Sequence, residues 1–175
     1  MEHARPMIER VAILGAGALG AVYAKIFHQA GIATRLVAKG ERCTRLQREG
    51  VYINDTHFLL PVHDTENPDT DFKADLVIVA TKYHQLDSAL PDLANLVHAN
   101  TIFISLLNGL TSETHIGKKF GDTNVLMSIA MNLDARREEN RIYHSRPPLL
   151  IFGEANNLNV SNNVKAVQEL SLIHI

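Results

Sequence analysis

Apolar and polar positions follow two periods along this chain. Val11 to Leu14 is an unbroken apolar run of strand length, and glycines follow it at once. Leu19, Val22, Tyr23, Ile26 and Phe27 then recur at i, i+3, i+4, i+7 and i+8, which is one apolar helical face. Gly31 stands after Ala30, where a left-handed cap closes a helix. Thr34 to Ala38 predicts a second strand, and Glu41 to Glu49 a short polar helix stopped by Gly50. Val51 to Ile53 and Phe58 to Val62 flank the turn-prone pair Asn54-Asp55 and predict a β-hairpin. Ala74 to Ala80 is a continuous, β-branched run that suits a parallel strand covered on both faces. Leu86, Leu90, Leu93 and Leu96 mark a helix interrupted near Pro91. Thr101 to Leu107 predicts a third buried strand, ending in Asn108-Gly109. Ser112 is placed to cap a helix that reaches Phe120 and stops at Gly121. Asn124 to Leu133, Ile142 to His144 and Leu149 to Phe152 read as further strands, the last two around Pro147-Pro148. A final helix begins after Ser161 with Val164, Val167 and Leu170 inward.

Strands alternating with helices predict an α/β domain, a Rossmann-type doubly wound fold with a mainly parallel sheet. Its first unit, strand–turn–helix–strand, has the roughly 30-residue size of a mononucleotide-binding half. The turn reads Gly15-Ala16-Gly17-Ala18-Leu19-Gly20, the pattern G-x-G-x-x-G. In that position Gly15 permits the tight turn, Gly17 lets a pyrophosphate approach the backbone, and Gly20 lets the helix press on the strand. The first amides of the following helix have no carbonyl to bond and, with the helix dipole, form an anion site. These six residues are therefore the candidate cofactor cradle.

Composition narrows the field. With 175 residues, 46% of them hydrophobic, the chain has material for an ordinary core. Seventeen basic and nineteen acidic residues leave a net charge of −2, against a nucleic-acid surface. Cys43 is the single cysteine, so no internal disulfide forms and a reducing cytoplasm fits. The opening MEHARPMIER does not read as a signal peptide, and no apolar run has the length to cross a bilayer. The two N-x-[ST] matches, at Asn54 and Asn159, carry no weight without a secretory signal. The nine histidines are scattered, with no two within five positions, and predict no metal site. No G-x-S-x-G elbow supports a serine hydrolase.

In a parallel sheet the ligand lies at the carboxyl ends of the strands. The second strand ends in Lys39-Gly40-Glu41-Arg42, where an NAD site usually carries an acidic residue for the ribose 2′-hydroxyl. Lys39, with Arg42 after it, favours the 2′-phosphate of NADP(H) instead. Glu41 as the ribose ligand reverses that preference, and solvated helix-start residues remain the plain alternative. The next strand ends in Thr81-Lys82-Tyr83, where Lys82 either meets phosphate, ribose or an acidic substrate or is a surface lysine. Asn108 offers a donor and an acceptor to the nicotinamide ribose or a substrate carbonyl, and Asn-Gly is equally an ordinary turn pair.

Taken together, ILGAGALG, LVAKGER, VATKYHQLDSAL, SLLNGL, ARREENRIYH and IFGE resemble the ketopantoate reductase (2-dehydropantoate 2-reductase) family from about Val11 to Glu154. The resemblance implies NADPH-dependent reduction of a 2-keto acid, ketopantoate to pantoate, on the route to pantothenate and coenzyme A. It implies that Gly15 to Gly20 cradle the pyrophosphate and that Lys39 meets the 2′-phosphate. Lys82 and Asn108 match cofactor-binding residues, Asn108 also lying near the substrate, and Ala135 matches a position near the nicotinamide end. Members of the family carry a second, helical domain that supplies a lysine proton donor. That domain is absent from this chain, which ends at Ser171-Leu-Ile-His-Ile175, and Lys165 is not assigned the donor's role.

The expected organisation is thus residues 1–160 as an NADP-binding Rossmann-like domain and residues 161–175 as the start of a truncated connecting helix. The expected behaviour is cofactor binding with little turnover by this chain alone. Apolar surface on the sheet's carboxyl edge and the final helix, left uncovered, predicts a homo-oligomer. Two other accounts stay open. One is a non-catalytic dinucleotide-binding sensor; the other is a related dehydrogenase acting on a different 2-keto acid.

Overall fold

The computed structural model describes residues 7–109, 111–132, 134–156 and 160–172, with side chains in the last stretch through 170. Its elements run β1 (Arg10–Leu14), α1 (Ala18–Gln29), β2 (Ala33–Ala38), α2 (Gly40–Glu49), β3 (Val51–Ile53), β4 (Thr56–Phe58), β5 (Val62–Asp64) and β6 (Leu76–Val79). They continue with α3 (Leu86–Ala89), β7 (Ile102–Ser105), α4 (Ser112–Phe120), β8 (Val125–Met131), β9 (Arg136–Glu138), β10 (Arg141–Tyr143), β11 (Leu149–Gly153) and α5 (Asn162–Leu172). Single 3-10 turns at Tyr83–Gln85 and Leu90–Leu93 flank α3, so the leucine-spaced helix is broken where Pro91 removes an amide donor.

Seven strands form the main sheet in the order β11-β8-β7-β6-β1-β2-β5, parallel except for the antiparallel edge pair β8 and β11. Because side chains alternate across a strand, each central strand supplies two cores. Val11 and Ile13 of β1, Leu76 and Ile78 of β6, and Ile102 and Ile104 of β7 pack beneath α1, α2 and α5. Ala12 and Leu14, Val77 and Val79, and Phe103 face the other way, against Leu86, Leu93 and Ile116. This is the doubly wound α/β architecture expected from the alternating pattern. Each of the Val, Leu, Ile and Phe side chains contributes about 1.5–3 kcal/mol by leaving water, which is why the four-residue apolar runs are enough to set the central strands. At the chain's end, Val164, Val167 and Leu170 of α5 are buried in the first core, and Ser161 Oγ accepts from the Val164 amide at 3.1 Å.

A second, small sheet has the order β4-β3-β10-β9. Asn54 and Asp55, at φ 47° and 63°, make the two-residue turn of its hairpin, and Ile53 pairs with Thr56. The second arm therefore differs from the expected Phe58 to Val62. It is Thr56–Phe58, because a two-residue turn brings Thr56 directly opposite Ile53, while Val62 leaves to pair with Leu36 of β2. Ile142 of β10 pairs with Ile53 in parallel, and both are buried.

Other expectations are corrected in detail. Ser112 is the first helical residue of α4, not its cap; Thr111 precedes it without a side-chain cap bond, and the Ser112 hydroxyl is used in the interior. The strand expected from Asn124 begins at Val125 after a 3-10 turn, and its expected end, Leu133, lies outside the described residues, as do His3, Asn159 and Ile173 to Ile175. The exposed apolar surface lies at the sheet's carboxyl edge, as expected, and not on the described part of the final helix. The described apolar side chains of α5, Val164, Ala166, Val167 and Leu170, face inward, whereas Ile129 and Met131 of β8 stand opposite Ile151 and Leu149 of β11, all four about half exposed.

Candidate functional site

Four parallel strands point their carboxyl ends at one edge. Leu14 is in register with Val37 and Val79, and Val79 with Ser105. The loops that follow carry Gly15 to Gly20, Lys39, Lys82 and Asn108, so the fold gathers on one rim the residues singled out from separate motifs.

The three glycines of the first loop have different reasons to be glycine. Gly15 sits at φ 107°, and a Cβ there would lie 2.6 Å from the Ala80 carbonyl oxygen. A Cβ on Gly20 would lie 2.0 Å from the Gly15 carbonyl oxygen, so the helix presses directly on the turn. Gly17 is unlike both. It has φ −74°, accessible to any residue, and a Cβ would meet only the Ala80 oxygen, at 3.9 Å. Neither the backbone nor the packing of this chain demands glycine at 17. The first helical bond of α1 runs from the Ala21 amide to the Gly17 carbonyl at 3.0 Å. The amides of Ala18, Leu19 and Gly20 come before it and have no helical acceptor. The first turn of α1 holds no acidic side chain of its own to neutralise the positive end of its dipole. An open, amide-lined cradle with spare room above Gly17 fits a diphosphate.

Lys39 precedes α2 in extended conformation, exposed, with Nζ 2.9 Å from Asp92 Oδ1 of the Leu90–Leu93 turn. Arg42 follows in the first turn of α2 and, with Glu41, Thr44, Arg45 and Arg48, borders a cavity of about 520 Å³. Neither Glu41 nor Arg42 has an ion-pair partner among the described residues. Lys82 and Asn108 are exposed on the rim. Ala135 comes from the other sheet, immediately before β9, half-buried against the core that holds Val11 and Ile13. It is joined to the glycine loop through its near neighbour Arg137, whose Nη1 donates to the Ala16 carbonyl. Asp134, just before, accepts from the Ser145 hydroxyl and amide, which holds its carboxyl down at about 2 and pins the start of β9.

Beneath Asn108 lies a buried hydroxyl chain. Ser105 Oγ donates to Ser112 Oγ and Ser112 Oγ to Glu113 Oε2, each at 2.8 Å, while the Leu107 amide donates to Ser105 Oγ at 3.3 Å. Glu113 Oε1 is buried without a partner among the described residues. The network ties the end of β7 to the start of α4 and so sets the loop that carries Asn108. Ser112→Ala takes one bond from Ser105 and one from the Glu113 carboxylate, and should cost about 1–3 kcal/mol. Urea unfolding checks this: the midpoint should fall at unchanged slope.

Among the described residues, no group of three or more His, Cys, Asp or Glu side chains is arranged to hold a metal ion. No described helix is long and apolar enough to cross a membrane. Arg137 does not stand out in the sequence. The only signal was its place two residues beyond Ala135 in a charged stretch.

Comparison with known proteins adds the family. Residues 11–157 match the family described as ketopantoate reductase PanE/ApbA. The 2-dehydropantoate 2-reductase of Lactococcus lactis subsp. lactis (strain IL1403) is 29% identical over 127 residues, 70% of this chain and 41% of that protein. Among solved structures, D-mandelate dehydrogenase with NADH and anilino(oxo)acetate superposes with a TM-score of 0.81 at 24% identity, covering 94% of this chain and 54% of that one. A ketopantoate reductase from Staphylococcus aureus, described as dimeric, gives 0.69 at 24%, covering 94% and 56%. At such identities the structural likeness establishes a shared fold. The chain spans about half, or less, of the length of each of these proteins.

Proposed function

Since the chain belongs to the ketopantoate reductase PanE/ApbA family, we propose that it is the cofactor-binding part of an NADPH-dependent 2-keto acid reductase acting on ketopantoate. The carrying observation is Gly17, a glycine that the protein's own conformation and packing do not require, above a row of amides with no helical acceptor. In this reading the amides of Ala18, Leu19 and Gly20 hold the diphosphate. Lys39 takes the 2′-phosphate. Lys82 stands by phosphate or ribose, and Ala135 lies near the nicotinamide end. Asn108 presents its amide to the nicotinamide ribose and the substrate carbonyl. The bound cofactor supplies hydride, and the alkoxide so formed needs a proton and electrostatic stabilisation. No described side chain is assigned that donor, and we expect cofactor binding with little turnover from these residues alone. Residues 1–160 form the dinucleotide-binding unit in this proposal and residues 161–175 begin a connecting helix. Self-association uses the apolar face of Ile129, Met131, Leu149 and Ile151, and cytoplasmic pantothenate synthesis is the setting.

Lys39 decides between cofactors. Its ammonium is shared with Asp92, so the 2′-phosphate must compete with a carboxylate. A charge-assisted contact contributes about 1.5–3 kcal/mol, roughly tenfold to a hundredfold in affinity. Lys39→Glu should weaken NADPH by that factor and NADH far less, read by titrating cofactor fluorescence. Equal losses for the two show that Lys39 serves structure and that the NADPH preference is wrong. A second reading, a dehydrogenase for another 2-keto acid, is favoured by the likeness to D-mandelate dehydrogenase. It leaves the glycine-loop argument intact and predicts the opposite cofactor order, with Glu41 on the ribose.

A further inference from the structure

Arg137 is on the outer strand of the small sheet, opposite Ile142 of β10, and reaches back across the chain to the glycine loop. Its Nη1 donates to the Ala16 carbonyl and its Nε to the Glu139 carbonyl, the latter at 2.7 Å. Both acceptors are neutral. The guanidinium is half-buried, and Arg42 and Arg45 of α2 lie near enough that, after burial, they are what lowers its pKa. Arg42 and Arg45 line one cavity along α2 with Glu41 and Arg48, and their charge is felt at the Arg137 guanidinium, which is held at Ala16. Arg35, Arg48, Arg136 and Arg141 each hold a carboxylate, respectively Asp69, Glu49, Glu138 and Asp55. Arg42, Arg45 and Arg137 have none within ion-pair distance among the described residues. A like-charged cluster costs stability unless an anion joins it. Arg137 is held at Ala16, in the same loop as the row of amides, which also receives negative charge.

We propose that Arg137 ties the glycine loop in place through Ala16 and, with Arg42 and Arg45, forms a cationic roof that receives the dinucleotide's diphosphate. The proposal rests on the dinucleotide reading above and assigns Arg137 a duty separate from that of Lys39. The diphosphate is common to NADPH and NADH, so Arg137 serves both cofactors, whereas Lys39 discriminates between them.

Calorimetric titration of the whole chain with NADPH and with NADH tests this. Arg137→Met should weaken both by roughly tenfold to a hundredfold and make the salt dependence of binding shallower. Arg137→Lys keeps the charge and should recover most of the loss, which a purely structural role would not produce. Parent-like binding by Arg137→Met overturns the proposal, as does a loss confined to NADPH or an Arg137→Lys as weak as Arg137→Met. Should Arg137→Met fail to fold, Arg45→Met, on an exposed helix face, should weaken both cofactors several-fold, and no change there overturns the roof. If the parent chain binds neither dinucleotide, the functional reading falls and this proposal with it. If the parent binds and the variants bind equally well, this proposal alone falls.

Discussion

Gly20→Ala is expected to cost the chain about 3 kcal/mol or more of its folding stability. The added methyl would sit 2.0 Å from the Gly15 carbonyl oxygen and 3.2 Å from Ala80 Cβ. The first of these is backbone, not the end of a flexible side chain, so α1 must move away from β1. That movement disturbs Val22, Tyr23 and Ala24, which are buried against the central strands. Forcing volume into such contacts costs about 1–3 kcal/mol where neighbours can yield, and more where they cannot. Against a total of about 5–15 kcal/mol for an ordinary domain, this is a large fraction. Urea unfolding should show a much lower midpoint. A Gly20→Ala chain that unfolds like its parent would show that the close turn described above is not a constraint.

Gly17→Ala should do the reverse. Its φ of −74° suits alanine, and the new methyl meets only the Ala80 oxygen, at ordinary contact distance. The chain should unfold like its parent. Dinucleotide binding should nevertheless weaken, because the methyl takes the space through which the diphosphate reaches the amides of Ala18 and Leu19. Inserting a methyl into a close contact costs about 1–3 kcal/mol, which is roughly 5- to 150-fold in affinity. The two glycines are three residues apart in one motif, yet one substitution should lower stability and the other binding. Unchanged titration curves for Gly17→Ala would remove the observation on which the functional proposal rests.

What could be read in advance follows from where the information is local. β1, its turn and α1 were legible because an unbroken apolar run, a glycine pattern and a 3.6-residue period lie side by side. Lys39, Lys82 and Asn108 were legible as candidates because each closely follows a recognisable buried strand. The small sheet was harder. Arg136, Arg137 and Glu138 have no apolar alternation; they form a strand because β10 offers backbone partners. The reach of Arg137 to Ala16 joins residues from opposite ends of the chain, and no periodicity encodes it. The second hairpin arm was misplaced because Phe58 to Val62 is apolar, while turn geometry chose Thr56. Ser112 looked like a cap because hydroxyl residues often are; its use in a buried chain with Ser105 and Glu113 depends on tertiary contacts. The glycine motif itself concealed a distinction, since only the packing around each position shows which glycine the protein needs for itself.

The back wall of the Gly15 turn is the Ala80 carbonyl, supplied by the residue just after β6, which is translated far later than the turn. The residues that spell the motif are thus insufficient to build it. On the ribosome, the turn stays unsupported until β6 has emerged and settled beside β1, which also makes this a slow, non-local closure. A coenzyme meeting the half-made polypeptide finds the letters of a binding motif without its shape.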